Sequence, residues 1–219
     1  MSARAAGIKV GYLDILPPVG LNSESIALAM KAARVNGFIT SIDTNSSIAL
    51  ITALRQLGVP LKGIVLATGY GGDVNEGGPG TEQIAQGVYF LLPYEPFEMH
   101  TAATQRFHDA LKTYAGVAGD PTLGEYIGYL SVDAFVAGLD AAGRNPTQAS
   151  FIQAMLGIRH YDAAGLFGSH SIGFAMNQRG TAAGADNCVW VTRFSGSSFQ
   201  LVRRADPICG KVIQGLSPS

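Results

Sequence analysis

Charge is scarce in this sequence. Only 14% of its 219 residues are Asp, Glu, Lys or Arg, and 15 basic against 16 acidic side chains leave a formal charge of -1. A face that holds nucleic acid or an anionic membrane needs a concentration of Lys and Arg that is missing here. Long apolar runs are missing too: 47% of the residues are hydrophobic, yet no run approaches the ~20 residues of a membrane span. The opening Met-Ser-Ala-Arg-Ala-Ala-Gly has one basic residue and no apolar signal-peptide core, so the chain as written reads as cytosolic. Cysteine is limited to Cys188 and Cys209, without the CxxC spacing of redox catalysis or of a cysteine zinc site. One bridge and two buried thiols both fit this pair, and pairing is the expectation in exported material.

The usual catalytic and metal signatures are also wanting. His100, His108, His160 and His170 are scattered, without HxxxH or HExxH spacing. Ser169-His170-Ser171-Ile172-Gly173 approaches GxSxG but carries serine at the first glycine position. Asp73-Val-Asn75 opens like a calcium loop, and Ile84 stands where its twelfth-position acid belongs. The glycine-rich stretch Gly69 to Gly80 meets neither GxGxxG nor GxxxxGK[ST], and Gly77 to Gly80 reads as a flexible surface loop. No catalytic residue, metal ligand or cofactor is expected.

What is present is an alternation of strand and helix. Lys9 to Leu13 reads as a strand, followed by a helix capped by Asn22 or Ser23 with Ile26, Ala29, Met30 and Ala33 on its stripe and Gly37 at its end. Phe38 to Ile42 is the second strand. Asn45 or Ser46 caps the next helix, striped by Ile48, Ile51, Leu54 and Leu57 and closed by Gly58 and Pro60. Gly63 to Ala67 and Gly87 to Leu92 continue the rhythm around a short helix at Thr81 to Gln86, which implies a parallel sheet. After a connector at Tyr94 to Phe97 come three helical patterns, Thr101 to Tyr114, Leu123 to Ala142 and Thr147 to Gly157. A hairpin follows at Cys188 to Phe194 and Phe199 to Arg203, with a mobile tail from about Cys209 to Ser219.

In an open parallel sheet, ligands bind beyond the carboxyl ends of the strands. Two such ends are small and polar, Thr40 to Ser47 and Ala67 to Gly72. Together they nominate Ser41, Ile42, Asp43, Thr68, Gly69 and Tyr70.

The order of these elements resembles the solute-binding proteins of branched-chain amino acid ABC transporters, of the type I periplasmic binding fold. The residues that carry the likeness are the Val10 to Pro18 strand and Pro-Pro turn, Ala32-Ala-Arg-Val-Asn-Gly-Phe and Leu54-Arg-Gln-Leu-Gly. Further on they are Ala85-Gln-Gly-Val-Tyr-Phe-Leu-Leu-Pro-Tyr, the Tyr129 to Leu139 helix, Gly165-Leu-Phe-Gly-Ser-His-Ser-Ile-Gly-Phe with Gly180, and the Val-Trp-Val hairpin.

The resemblance implies two α/β lobes that close on a solute, with most of the first lobe lacking here. Residues 1–93 would be most of the second lobe, 94–170 helices of the first, 171–205 the hinge crossover and terminal hairpin, and 206–219 a tail. It adds Tyr126, at the start of the long helix, as a cleft-lining aromatic, although helical spacing alone makes Tyr126 a core residue. It implies an extracytoplasmic full-length protein, an ABC permease as partner and an amino-acid-like solute; but such binders place a carboxylate after the third strand for the ligand ammonium, and Ala67-Thr-Gly-Tyr has none, so a small carboxylic acid or amide is expected rather than a simple α-amino acid. It also implies self-association through helices left uncovered, exposing Phe107, Leu111, Phe135 and Leu139. A small-substrate enzyme or a sensing domain on the same fold is the alternative, since fold alone does not decide function.

Overall fold

The computed structural model describes residues 2–15, 21–175, 188–203 and 206–211. The Pro-Pro turn, Gly180 and the last residues of the expected tail lie outside the described residues. The helices are α1 (Ser2–Ala5), α2 (Ser23–Ala32), α3 (Thr44–Gln56), α4 (Gly72–Asn75), α5 (Gly78–Ala85), α6 (Ala102–Ala110), α7 (Leu123–Ala142) and α8 (Gln148–Gly157). The strands are β1 (Gly37–Thr40), β2 (Gly63–Leu66), β3 (Tyr89–Leu92), β4 (Cys188–Ser195), β5 (Ser198–Leu201) and β6 (Ile208–Cys209). They form one sheet in the order β1-β2-β3-β4-β5, with β6 beside β4. β1 runs parallel to β2 and β2 to β3, whereas β4 and β5 are antiparallel. The described residues fall into two compact units, one drawn from Met1–Leu91, Val191–Val202 and Cys209–Ser219, the other from Leu92–Trp190 and Arg203–Ile208.

In the first unit, α2 and α3 cover the sheet's start through Ile26, Ala27, Met30, Leu50, Ala53 and Leu54. The stripes agree with expectation at Ile26, Met30, Ile51 and Leu54, all buried, and at Leu57, which packs against the same core; Ala27 replaces the exposed Ala29, and Leu50 and Ala53 are buried where Ile48 is half-buried. Asn22 caps α2 by accepting the Ser25 amide. The helix stops before Gly37, because Arg34 takes the left-handed conformation (φ 54) and its amide bonds the Lys31 carbonyl while Val35 bonds Met30. α3 ends in the same pattern with Gly58 in that role.

Two local expectations are corrected. Lys9 to Leu13 belongs to no strand: Tyr12 packs against the α2/α3 core, but β1 pairs only with β2 and no ladder bond from the segment reaches it among the described residues. Gly78 to Gly80 is the first turn of α5 rather than a loop, with Pro79 in that turn, where its missing amide hydrogen costs nothing.

The second unit is helical. The π-helical turn Leu111–Ala115 extends α6, and Phe107, Tyr126 and Tyr94 form its aromatic centre. Gly138 lets α8 approach α7, since a Cβ there would collide with Met155 and Phe151. The apolar face of α7 is left open: Ile127, Val132, Phe135 and Val136 are exposed. Phe107, expected among the exposed residues, is instead fully buried, and Leu111 and Leu139 are half-buried. Cys188 and Cys209 are disulfide-bonded.

Candidate functional site

The carboxyl ends of β1 and β2 lie in the first unit, and the residues after them are joined. The Thr68 hydroxyl, two residues beyond β2, donates to the Ile42 carbonyl, two residues beyond β1. The Ala67 amide bonds the Thr40 carbonyl at 3.0 Å, continuing the β1/β2 ladder up to this point. Gly69 then crosses over Thr44 with φ +86, and a Cβ on it would lie 3.1 Å from Thr44 Cγ2 and 3.2 Å from Thr44 Oγ1. A side chain there would be strained by both backbone and neighbour. The chain can pass because the residue is glycine.

Ser41 is exposed on this surface and Ile42 is half-buried against the α2/α3 core. Asp43, rather than Asn45 or Ser46, caps α3: its carboxylate accepts the Ser46 amide at 3.0 Å. Side-chain and backbone hydrogen bonds from Ser46 hold its carboxyl below the usual carboxylate range. The only carboxylate in the Ser41–Asp43 and Thr68–Tyr70 stretches is therefore already engaged by the helix.

The two aromatic candidates sit differently from the rest. Tyr70 is only 2% exposed and packs edge-on against Phe199 with ring centroids 4.8 Å apart, so its ring is turned into the core of the first unit. Tyr126 belongs to the second unit, fully buried, stacked on Tyr94 at 4.3 Å and donating its hydroxyl to the Glu95 carbonyl at 3.3 Å. Helical spacing predicted that core position. In this conformation neither ring is offered to a ligand from within its unit. The structure thus brings Ser41, Ile42, Asp43, Thr68 and Gly69 together.

The sequence reading missed Thr40, Thr44 and Ser47, which border the same loops. Their signal was the hydroxyl-rich run from Thr40 to Ser47, too common in helix caps to stand out. The second unit also buries an acid, Glu95, 6% exposed. Its carboxylate accepts the Thr101 hydroxyl at the N-terminus of α6, where a negative charge is favoured.

A family model described as periplasmic binding protein matches residues 1–198. The chain belongs to the periplasmic binding protein family. Its architecture is the type I periplasmic binding fold, which solved structures share. A branched-chain amino acid ABC transporter protein of Thermus thermophilus, with bound valine, superposes with a TM-score of 0.71 at 16% identity, over 95% of this chain and 55% of that one. A fatty acid ABC transporter substrate-binding protein of Thermomonospora curvata gives 0.70 at 18% identity, over 93% and 51%. A solute-binding protein of R. palustris in complex with benzoate gives 0.61 at 12% identity, over 89% and 50%. The chain spans about half the length of these proteins. No curated protein matches by sequence. This is a family of binding proteins rather than enzymes, and among the described residues no helix is long and apolar enough to cross a membrane.

Proposed function

We propose that this chain supplies one wall of the solute site of an ABC-importer binding protein, working outside the cytoplasmic membrane with a permease and without catalysis. The observation that carries the reading is the convergence of two loops after neighbouring parallel strands, tied by the bond from Thr68 to Ile42, in a chain of the periplasmic binding protein family. Such strand ends are where an open α/β sheet receives its ligands. The wall offers the Ser41 hydroxyl and the peptide groups of Ser41 and of the Thr68–Gly69 loop, the Ile42 amide and carbonyl being bonded within the wall itself. These are hydrogen-bonding groups without net charge, suited to orienting a small solute.

The solute we infer is a small carboxylic acid or amide with an apolar body rather than a simple α-amino acid. A buried ammonium needs an anionic partner, and Asp43 already serves the α3 terminus. Calorimetric titration with benzoate, octanoate and L-valine tests both statements. The reading expects heat with benzoate or octanoate, chemically unchanged solute on recovery, and loss of binding in Ser41→Trp, whose indole would fill the wall. Conversion of the solute, or valine binding of micromolar strength, would contradict it. Permease and ATPase genes beside this gene would support transport over sensing.

A further inference from the structure

Three hydroxyl side chains from three different places meet on the backbone of one residue of the proposed solute wall, Ile42. The Ile42 amide donates to Thr40 Oγ1 at 3.3 Å. The Ile42 carbonyl accepts from Thr68 Oγ1 and from Ser47 Oγ, the latter at 3.4 Å. Thr40 ends β1, Ser47 stands in the first turn of α3, and Thr68 follows β2. Ser47 is fully buried although polar, and a hydroxyl in such a place persists where it has a partner. Immediately after the clamped residue, Asp43 caps α3, so the same short loop is fixed at two successive positions.

We propose that Thr68 and Ser47 are positioning residues: they hold the Ile42 carbonyl, and with it the pose of Ser41 and Asp43, before any solute arrives. Thr68 then acts through Ile42 rather than by touching the ligand, which revises its place among the candidate contact residues. The functional meaning rests on the solute-wall reading above, but the clamp itself is testable without a ligand. A preorganised loop binds with a smaller ordering cost than a mobile one. A hydroxyl serves here because the carbonyl of a residue just past a strand end has lost its ladder partner and needs another donor.

The test is amide hydrogen exchange by NMR on the ligand-free protein. The Ile42 and Ser46 amides report the loop, and the amide of buried Leu54, in the last turn of α3 and away from the loop, is the reference. In Thr68→Val, which keeps shape and removes the donor, Ile42 and Ser46 are expected to exchange about tenfold faster, as loss of one such bond implies, with Leu54 unchanged. Thr68→Ser restores the hydroxyl and is expected to restore protection. Ser47→Ala should give the same pattern more weakly, its bond being the longer, and it carries the test should Thr68→Val fail to fold. Unchanged exchange at Ile42 and Ser46 in the valine or alanine variant overturns the proposal, as does Thr68→Ser behaving like Thr68→Val. A clamp confirmed in a protein that binds no solute would leave the positioning role intact and remove the transport reading instead.

Discussion

Gly69→Ala is the substitution on which the geometry of the candidate site bears most directly. The backbone there has φ +86, and an added methyl would stand 3.1 Å from Thr44 Cγ2, 3.2 Å from Thr44 Oγ1 and 3.6 Å from Phe90 Cε1. Holding an L-residue in the left-handed region costs about 1 kcal/mol. Displacing Thr44, a first-turn residue whose χ1 is restricted by β-branching, adds roughly 1 kcal/mol. For a chain of this size a loss of about 2 kcal/mol lowers the melting temperature by about 4–8 °C. Circular dichroism melts measure it.

The companion variant is Gly80→Ala. Gly80 lies inside α5 with open space at its Cβ position, so alanine should stabilise by about 0.5–1 kcal/mol through helix propensity. Opposite signs for two glycines of one glycine-rich stretch is the expected result. A melting temperature for Gly69→Ala within a degree or so of the parent would refute the argument that backbone conformation and Thr44 exclude a side chain there.

Asp43→Ala should cost about 1 kcal/mol as a lost helix cap. The depressed carboxyl of Asp43 adds a pH signature. Its contribution is fully present above the unfolded carboxylate pKa and fades as pH falls through the lower folded value, so the gap between parent and alanine variant narrows in acid; a gap constant from neutral to acid pH would contradict the cap. Replacing both Cys188 and Cys209 by serine is expected to lower stability by up to about 3 kcal/mol, as removal of a bridge closing a loop of this length implies. Two free thiols in non-reduced, exported protein would refute the pairing. The exposed apolar face of α7 predicts concentration-dependent association, relieved in Phe135→Ser/Val136→Ser; light scattering showing a monomer at all concentrations would count against it.

Much of this fold is legible in the sequence because each element carries its own stop and start. α7 runs from Leu123 to Ala142 because Thr122 and Glu125 form a capping box ahead of it and Gly143 closes it. The hairpin is equally local, turning at Gly196 with φ +69 between paired Ser195 and Ser198. What the sequence does not reveal depends on partners. Lys9 to Leu13 has the alternation of a strand, with Val10 and Tyr12 half-buried between exposed neighbours, but a strand also needs an edge to bond to, and alternation cannot supply one.

The same limit explains the site. Ser41, Asp43 and Thr68 are visible as polar residues after strands. Whether a hydroxyl faces a ligand or a neighbouring carbonyl depends on the packing of β1 against β2, and for Thr68 the carbonyl wins. Tyr70 looked like a pocket residue because it follows a strand end. It is a core residue because Phe199, distant in sequence, arrives on top of it.

On the proposed reading, solute binds at the ends of β1 and β2. NMR titration of the protein with benzoate and octanoate, read residue by residue on the backbone amides, locates that binding. Affinity closes on a ligand when both walls enclose it, so a wall acting alone is expected to bind at about millimolar strength. Shifts are expected to gather at Ser41 to Thr44 and at Ala67 to Gly69, and to be abolished in Ser41→Trp. Shifts gathered elsewhere, or undiminished in that variant, would contradict it.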